Sequence, residues 1–296
     1  MSMSISPNLS TPPATNPPSS HASPATATAR AYYNSHDADT FYRTIWGGST
    51  INVGLYDSPN DPIPIASLRT IERMAALILP IDSATRILDL GSGYGGAARY
   101  LAKKYGCRVC CLNVSEVENE RNRRTIWEEG LGHLVSVREG SFEELGMWEE
   151  GAFDVVWSQD AFLHSGDRRA VVRGIDRVLV KKGGRVIFTD PMAANGVDQK
   201  ELGAILKRLN LESLGDVESY KRWFDEAGFV DAGFADLTRD MEVHYGRVLT
   251  ELEGRERELK GEISDEYVGN MKVGLRNWVE SARSGRLCWG ILQFRR

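Results

Sequence analysis

Three glycines at alternate positions follow a short apolar run, in Ile87-Leu88-Asp89-Leu90-Gly91-Ser92-Gly93-Tyr94-Gly95. Glycines in such a turn let the backbone come close to a ligand, and the helical run that follows, residues 99–105, offers free amide donors at its start. This arrangement predicts a cradle for a nucleotide-type ligand. Dinucleotide oxidoreductases use a related turn, but their Gly-x-Gly-x-x-Gly spacing fits this segment poorly.

Polar side chains also follow a second apolar run, residues 153–158, where Gln159, Asp160 and His164 occur. An open α/β sheet places its ligands at the carboxyl ends of its strands, so these side chains are predicted to lie at the reaction centre. His164 is the candidate general base, together with Asp160, because an imidazole titrates near neutral pH. If the loop begins a helix, the spacing of four residues puts both side chains on one face. A packing or capping role for His164 is the alternative.

The elements that must position these residues alternate between two sequence patterns. Short apolar runs are separated by helical patterns, which is typical of a parallel sheet covered by helices on both faces. Two later runs rich in strand-forming residues complete a set of seven predicted strands. The predicted strands are residues 86–90, 108–112, 134–138, 153–158, 185–190, 229–237 and 287–294.

The glycine motif is more specific when the residues before it are included. An acidic residue in Leu-Asp-Leu-Gly-x-Gly-x-Gly resembles the first motif of class I S-adenosylmethionine-dependent methyltransferases. The resemblance implies a doubly wound, Rossmann-like α/β sheet of seven strands, with S-adenosyl-L-methionine as the cofactor. It also implies that Asp89, Gly91, Gly93 and Gly95 bind that cofactor.

Further positions match this family residue by residue. Asn113 ends the second predicted strand, where the family receives the ribose hydroxyls on a residue that is usually acidic; an amide can still hydrogen-bond a diol. Ser141 and Phe142 match the adenine-contacting position, for which a surface loop with one buried phenylalanine is the alternative. Gln159 matches the loop after the fourth strand and completes the implied cofactor set.

Both ends of the predicted domain indicate one branch of the family. Tyr32-Tyr33, residues 37–48 and residues 52–57 resemble the N-terminal part of sarcosine/dimethylglycine methyltransferases and, more loosely, of tocopherol and sterol methyltransferases. Residues 271–278 and 288–291 resemble the C-terminal part of the same sarcosine/dimethylglycine group. The loop that ends at His164 also resembles that of phosphoethanolamine methyltransferases, where a histidine acts with a tyrosine. One departure is Asn52, because the sarcosine/dimethylglycine relatives tend to carry histidine there.

The resemblance implies methyl transfer to nitrogen or oxygen of a small molecule, with sarcosine and dimethylglycine favoured and betaine as the end product. Tyr33, Tyr42 and Tyr56 are candidate substrate contacts, with apolar packing as the alternative. Arg43 is a candidate clamp for a substrate carboxylate, because the two groups match as a fork; a solvated surface role is the alternative. Two other functions stay open. One is an O-methyltransferase of secondary metabolism, acting for instance on a polyketide hydroxyl, and the other is a protein that binds S-adenosylmethionine without catalysis.

Composition argues against several kinds of partner. A net charge of -5 over 296 residues gives no general attraction to nucleic acid or to an anionic membrane surface. No run approaches the roughly 18 apolar residues of a membrane span and no signal peptide is evident, so a cytoplasmic location is expected. The cysteines lack zinc-ligand spacing, so no metal site is expected and they are predicted to be reduced core residues. They are Cys107, Cys110, Cys111 and Cys288.

Two segments differ in composition from the rest of the chain. Residues 1–30 consist largely of Ser, Thr, Pro and Ala, and they are predicted to form a disordered tail because they carry almost no large apolar side chain. Residues 31–296 are predicted to form a single methyltransferase domain. Within it, residues 238–284 are charged and helix-favouring, and a connection of that length predicts a helical lid between the last two strands.

Overall fold

The computed structural model describes residues 23–296 and has a seven-stranded sheet at its centre. The strands are β1 (Arg86–Leu90), β2 (Arg108–Asn113), β3 (Val135–Glu139), β4 (Val155–Gln159), β5 (Arg185–Ala193), β6 (Val230–Asp236) and β7 (Leu287–Arg295). Their order is β3-β2-β1-β4-β5-β7-β6, with β7 antiparallel to both of its neighbours and the other pairs parallel. All seven predicted strands are confirmed, with ends that differ by a few residues.

Helices cover both faces of this sheet. Ile87 of β1 packs into one apolar cluster and Leu88 into another, because successive side chains of a strand point to opposite faces. Burial of both faces explains why central strands such as β1 and β4 are largely apolar runs in the sequence. The helices are α1 (Pro24–Tyr33), α2 (His36–Phe41), α3 (Ile63–Leu77), α4 (Gly96–Tyr105), α5 (Glu116–Glu128), α6 (Arg168–Val178), α7 (Gly203–Arg208), α8 (Val217–Glu226), α9 (Thr238–Leu259) and α10 (Asp265–Arg283).

Helices α9 and α10 form the insertion predicted between the last two strands. They pack against each other through Tyr245 and Trp278, whose ring centroids are 4.8 Å apart. Near the start of α9, Asp240 accepts a hydrogen bond from the backbone amide of Tyr56 at 2.9 Å. The insertion is therefore joined to the segment that precedes the sheet.

The predicted boundary of the N-terminal tail is wrong. Helix α1 begins at Pro24, and Ser23 caps it by accepting a hydrogen bond from the amide of Thr26 at 3.2 Å. Thr26 and Ala29 are both buried. The alanines among these small side chains favour a helix, and the helix lies close enough to the loop after β3 for Thr26 to contact Ser141. Residues 1–22 of the predicted tail lie outside the described residues.

The cysteines agree with the prediction of reduced core residues. All four are free thiols, with Cys107 and Cys111 buried and Cys110 and Cys288 half-buried. Between residues 23 and 296 no helix has the length and apolar character needed to cross a membrane. The same range contains no group of three or more His, Cys, Asp or Glu side chains placed to hold a metal ion.

Candidate active site

The glycine turn joins β1 to α4 at the carboxyl edge of the sheet. Gly91, Gly93 and Gly95 have φ angles of 73°, 52° and 73°, in the left-handed region that favours glycine. A Cβ atom at Gly91 would lie 2.3 Å from the Cβ of Ala161. One at Gly95 would lie 2.2 Å from the side-chain amide of Asn122. Larger residues therefore do not fit at these two positions, and the backbone of the turn stays open to a ligand.

A cavity lies beside this turn at the carboxyl edge of the sheet. Its wall combines the turn, the end of β2, the loops after β3 and β4, and one side of α1. The structure thus brings together nine of the predicted site residues. They are Tyr33, Gly91, Gly93, Asn113, Ser141, Phe142, Gln159, Asp160 and His164.

A buried carboxyl group, that of Glu118 on α5, lies at this cavity beside the end of β2. Asn113 donates a hydrogen bond from Nδ2 to Oε2 of Glu118 at 2.8 Å, and Glu118 is only 2% exposed. Oε1 of Glu118 has no hydrogen-bond partner among residues 23–296. Burial raises the pKa of Glu118 to about 7, although the Asn113 hydrogen bond opposes the rise and the carboxylate of Asp39 adds to it. A buried acceptor without a partner indicates a ligand donor, and a ribose hydroxyl has that chemistry.

Gln159 presents the complementary polar group. Its Oε1 accepts a hydrogen bond from the indole of Trp157 at 3.3 Å, whereas its buried Nε2 has no partner within the described part of the chain. Phe142, whose ring lies 5.7 Å from that of Phe162 between centroids, adds an apolar surface to the wall. Beside it the hydroxyl groups of Ser141 and Thr26 lie 3.1 Å apart. The cavity therefore offers a donor, an acceptor and an aromatic face, which fits an adenosyl group.

His164 and Tyr33 form a pair at the side of the cavity nearest α1. Nε2 of His164 lies 3.0 Å from the hydroxyl oxygen of Tyr33, and the two rings meet edge to face with centroids 5.4 Å apart. His164 belongs to a short 3₁₀ turn, Phe162–His164, and is 9% exposed. The predicted histidine thus faces the cavity with a tyrosine hydroxyl in contact.

The prediction that Asp160 and His164 share one helix face is wrong. Asp160 has a φ of 51° and lies before the 3₁₀ turn, so no helix connects the two residues. Its carboxylate accepts hydrogen bonds from the backbone amide of Val53 at 2.8 Å and from Nε1 of Trp289 at 2.7 Å. Burial raises the pKa of Asp160, and these hydrogen bonds oppose that shift. Asp160 therefore joins three distant segments at the cavity wall.

Three predicted substrate residues lie away from the cavity wall. The hydroxyl of Tyr42 contacts that of Tyr32 at 3.2 Å, and the hydroxyl of Tyr56 lies 2.9 Å from Nδ1 of the buried His244. Arg43 is exposed to solvent. The structure therefore does not bring these side chains to the reaction centre, and it places Arg43 where a solvated arginine is expected.

Two predicted cofactor residues also lie behind the wall. Asp89 is 3% exposed, and its Oδ2 has no hydrogen-bond partner among the described residues. Burial raises the pKa of its carboxyl group to about 7. Gly95 caps α4 and packs against Asn122. Asp89 and Gly95 therefore do not line the cavity, whereas Gly91 and Gly93 do.

Sequence reasoning missed several residues of the wall. Thr26 and Ala29 were assigned to the tail, and Glu118 lies in a Ser-x-x-Glu pattern that is typical of a helix start. Ser115 does cap α5, by accepting a hydrogen bond from the amide of Glu118 at 3.2 Å. The side chain of Glu118 turns instead to Asn113. The sequence feature that could have indicated Glu118 is Asn113, a neutral residue at a position that is usually acidic in the methyltransferase family.

The sheet order, the glycine turn and a cavity suited to an adenosyl group define an S-adenosylmethionine-dependent methyltransferase. A family model described as a methyltransferase domain matches residues 88–188. The chain belongs to the sarcosine/dimethylglycine N-methyltransferase family. It is 48% identical over 272 residues to the sarcosine/dimethylglycine N-methyltransferase of Halorhodospira halochloris, covering 92% of this chain and 97% of that one.

Two further comparisons agree with this family. The glycine/sarcosine/dimethylglycine N-methyltransferase of Actinopolyspora halophila is 55% identical over 271 residues, which are 92% of this chain and 47% of that protein. The chain thus spans about half the length of that relative and nearly all of the one from Halorhodospira. A solved structure assigned to the sarcosine dimethylglycine methyltransferases of Galdieria sulphuraria is 40% identical, with a TM-score of 0.81 and coverage of 88% of this chain and 98% of that one.

Proposed function

We propose that the chain methylates the amino nitrogen of sarcosine and dimethylglycine, with betaine as the end product. The observation that carries this proposal is the likeness to the Halorhodospira relative over almost its whole length. The geometry supports it because one cavity joins the cofactor cradle to the pair formed by Tyr33 and His164.

The roles of the cofactor residues follow from their chemistry. When bound, S-adenosylmethionine supplies a methyl group already activated on a sulfonium, so the protein mainly aligns the two reactants and excludes water. We assign the ribose hydroxyls to Glu118 and Asn113, and the adenine to Ser141 and Phe142. The backbone at Gly91 and Gly93, with Nε2 of Gln159, is assigned to the remaining polar groups of the cofactor.

His164 has a role in preparing the amine. The nitrogen of a free N-methyl amino acid is protonated at neutral pH, as a lysine amine is with a pKa of about 10.4, and it needs a free lone pair before it can attack. Nε2 of His164 is placed to take that proton by way of the Tyr33 hydroxyl, which also lines the cavity: the hydroxyl gives its own proton to Nε2 and receives the one that leaves the amine. The Tyr33 hydroxyl orients the imidazole through their 3.0 Å contact.

The charge of the cavity favours an amine over a hydroxyl acceptor. The carboxyl groups of Asp160 and Glu118 line it, whereas none of the lysine and arginine side chains that the structure describes does. Transfer to a tertiary amine moves a positive charge within the cavity without removing it, and nearby carboxylates stabilise that charge throughout. Transfer to a neutral hydroxyl would lose the positive charge with the departing proton. The O-methyltransferase alternative gains no such stabilisation in its product.

The acceptor carboxylate needs a donor, and Arg43 lies too exposed to provide it. Asn52 lines the cavity and donates one hydrogen bond from Nδ2 to the backbone oxygen of Gln159 at 2.8 Å. An amide nitrogen has two hydrogens, and we assign the second to the acceptor carboxylate.

The expectation of a cytoplasmic location stays a prediction.

A panel of acceptors tests the proposal. The purified chain is incubated with S-adenosylmethionine and, separately, glycine, sarcosine, dimethylglycine and a set of phenols and alcohols, and products are measured by mass spectrometry. We expect dimethylglycine from sarcosine and betaine from dimethylglycine. Products formed from hydroxyl compounds alone would replace the proposal with the O-methyltransferase alternative. Donor binding without any methylated product would indicate a binding protein.

A further inference from the structure

Both backbone polar groups of Leu163, the residue before His164, are held by charged side chains. The amide of Leu163 donates to Oδ1 of Asp190 at 2.9 Å, and its carbonyl oxygen accepts from Nη2 of Arg168 at 3.0 Å. Asp190 lies on β5 and Arg168 at the start of α6, and both are buried. The carboxylate of Asp190 and the guanidinium of Arg168, from two different elements, thus both hydrogen-bond the backbone of Leu163.

This hydrogen-bond network includes residues of two further segments. Oδ2 of Asp190 accepts a hydrogen bond from the hydroxyl of Tyr220 on α8 at 2.7 Å, and Tyr220 is 1% exposed. Nη2 of Arg168 also donates to the backbone oxygen of Ser213 at 2.8 Å, and Nη1 donates to the Ser213 hydroxyl at 3.3 Å. Both oxygens of Asp190 are therefore used, and Tyr220 fixes the direction of the carboxylate that holds Leu163.

We propose that Asp190, Arg168 and Tyr220 are positioning residues that set the place of His164 in the cavity. The proposal rests on the role of His164 in the proposed function. None of the three lines the cavity, so they act through the backbone of Leu163. On its other side His164 contacts Tyr33 of α1. The imidazole is thus fixed between a rigid buried network and the helix that covers the site.

The charge state of Asp190 matters for this network. Burial raises its pKa to about 7, and the Asp160 carboxylate adds to the rise. The Tyr220 hydroxyl, the Arg168 guanidinium and the Leu163 amide act in the opposite direction. Tyr220 makes the cleaner substitution, because Tyr220→Phe removes one hydrogen bond and keeps the side chains of both Asp190 and Arg168.

A double-mutant cycle separates positioning from support of the fold. Tyr220→Phe is made in the wild type and in His164→Ala, and kcat and the calorimetric Kd for S-adenosylmethionine are measured near neutral pH. We expect about a tenfold loss of kcat in the wild type with little change in Kd, and no further loss in His164→Ala, because a misplaced group costs rate only while it is present. Equal losses of kcat in both backgrounds would overturn the proposal. Tyr100→Phe, which removes a hydroxyl bonded to Glu72 at 3.1 Å on the exposed side of α4, is the matched control.

A second readout does not depend on turnover. The chain has five histidines, so the imidazole signals of His164 can be followed by NMR across a pH titration. We expect Tyr220→Phe and Asp190→Asn to change the chemical shifts and the titration midpoint of His164, and Tyr100→Phe to leave both unchanged. Unchanged His164 signals in Tyr220→Phe and Asp190→Asn would overturn the proposal. If His164→Ala keeps full activity near neutral pH, its role as a base fails while this spectrum still tests its positioning.

Discussion

At the scale of single residues, buried polar atoms without partners locate the ligand more sharply than the sequence motifs do. Oε1 of Glu118 and Nε2 of Gln159 are both buried at the cavity wall and lack partners within the described range. An unpaired buried group costs free energy, so a native structure keeps it where a ligand completes the hydrogen bond. The acid at the ribose end comes from α5 rather than from the end of β2, where Asn113 stands.

Glu118→Gln is expected to weaken the binding of S-adenosylmethionine by about tenfold, because a neutral amide accepts weaker hydrogen bonds than a carboxylate. In the wild type the affinity should fall as the pH drops below about 7, where burial causes Glu118 to be protonated, and the variant should lack this dependence. Calorimetry across pH measures both effects. Glu120→Gln, on the exposed side of the same helix, is the control. An unchanged Kd in Glu118→Gln would remove this residue from the cofactor site.

His164→Ala is expected to lower kcat by about 10²-fold or more near neutral pH, as loss of a general base does. With sarcosine or dimethylglycine most activity should return at alkaline pH, because the amine then loses its proton without help. A hydroxyl acceptor would give only partial recovery. Profiles of kcat against pH for the wild type, His164→Ala and the exposed His133→Ala test this. A variant as active as the wild type at neutral pH would show that His164 takes no proton.

At the scale of elements, the glycine turn and helix α1 both line one cavity. The turn needs left-handed backbone angles at three glycines within five residues, and that requirement is visible in the sequence alone. Helix α1 depends on distant contacts, including the hydroxyl pair of Thr26 with Ser141 and the ion pair of Arg30 with Glu116. The amino-acid composition of residues 24–33 does not indicate those contacts.

Gly91→Ala is expected to lower cofactor affinity at least tenfold, because its Cβ would lie 2.3 Å from that of Ala161 and the turn would have to move. Gly130→Ala is a matched control, since Gly130 has a φ of 69° but no atom within 4 Å of an added Cβ. Both variants carry similar backbone strain. Calorimetric titration with S-adenosylmethionine and with its demethylated product compares them. Equal affinities in the two variants would contradict the close approach at Gly91.

Two truncations test the role of α1. Removal of residues 1–22 is expected to leave Kd and kcat unchanged, because every contact described above is kept. Removal of residues 1–30, the whole tail predicted from composition, deletes Thr26 and Ala29 from the cavity wall and should weaken donor binding. The ratio of the two Kd values measures the contribution of residues 23–30, which include seven of the ten residues of α1. Equal Kd values in both truncated proteins would show that α1 does not close the site.

The sequence predicts the strands well and the loop after β4 poorly, for a physical reason. A strand buried on both faces is a continuous apolar run, so β1 and β4 are visible locally. The backbone of Asp160 takes a φ of 51° while its carboxylate is held by Val53 and Trp289, both more than 100 residues away in the chain. Contacts so distant in the chain leave no pattern in residues 158–164. The separation of Tyr42 and Tyr56 from the cavity likewise depends on contacts with distant residues, so it could not be predicted from the sequence nearby.

At the scale of the whole molecule, burial of carboxyl groups makes stability depend on pH. Asp89, Glu118 and Asp190 have pKa values raised to about 7 by burial. A carboxyl group whose pKa is higher in the folded state binds more protons there than in the unfolded state, so its contribution to stability falls as the pH rises toward 7. Asp154 shows the reverse case, because hydrogen bonds from Arg86 lower its pKa despite partial burial.

Asp89→Asn is expected to raise the melting temperature by several degrees at pH 8 and by much less at pH 5, because the neutral amide never has to be ionised in the core. Asp154→Asn should instead lower the melting temperature by a similar amount at pH 5 and at pH 8, because both lie above the ordinary pKa of its carboxyl group. Thermal unfolding at both pH values checks the pair. The same shift for Asp89→Asn at both pH values would indicate a packing effect in place of a titration.

The contact between Trp289 and Asp160 has a consequence for how the enzyme matures on the ribosome. The glycine turn and the loop after β4 leave the ribosome early, whereas β7 leaves only after the whole insertion of α9 and α10 and then enters the sheet between β5 and β6. Until it does, Asp160 lacks the indole that holds its carboxylate. Pairing across so long a stretch of chain is slow, because the loop must close first. The nascent chain therefore carries the glycine turn before the carboxylate of Asp160 has its indole partner.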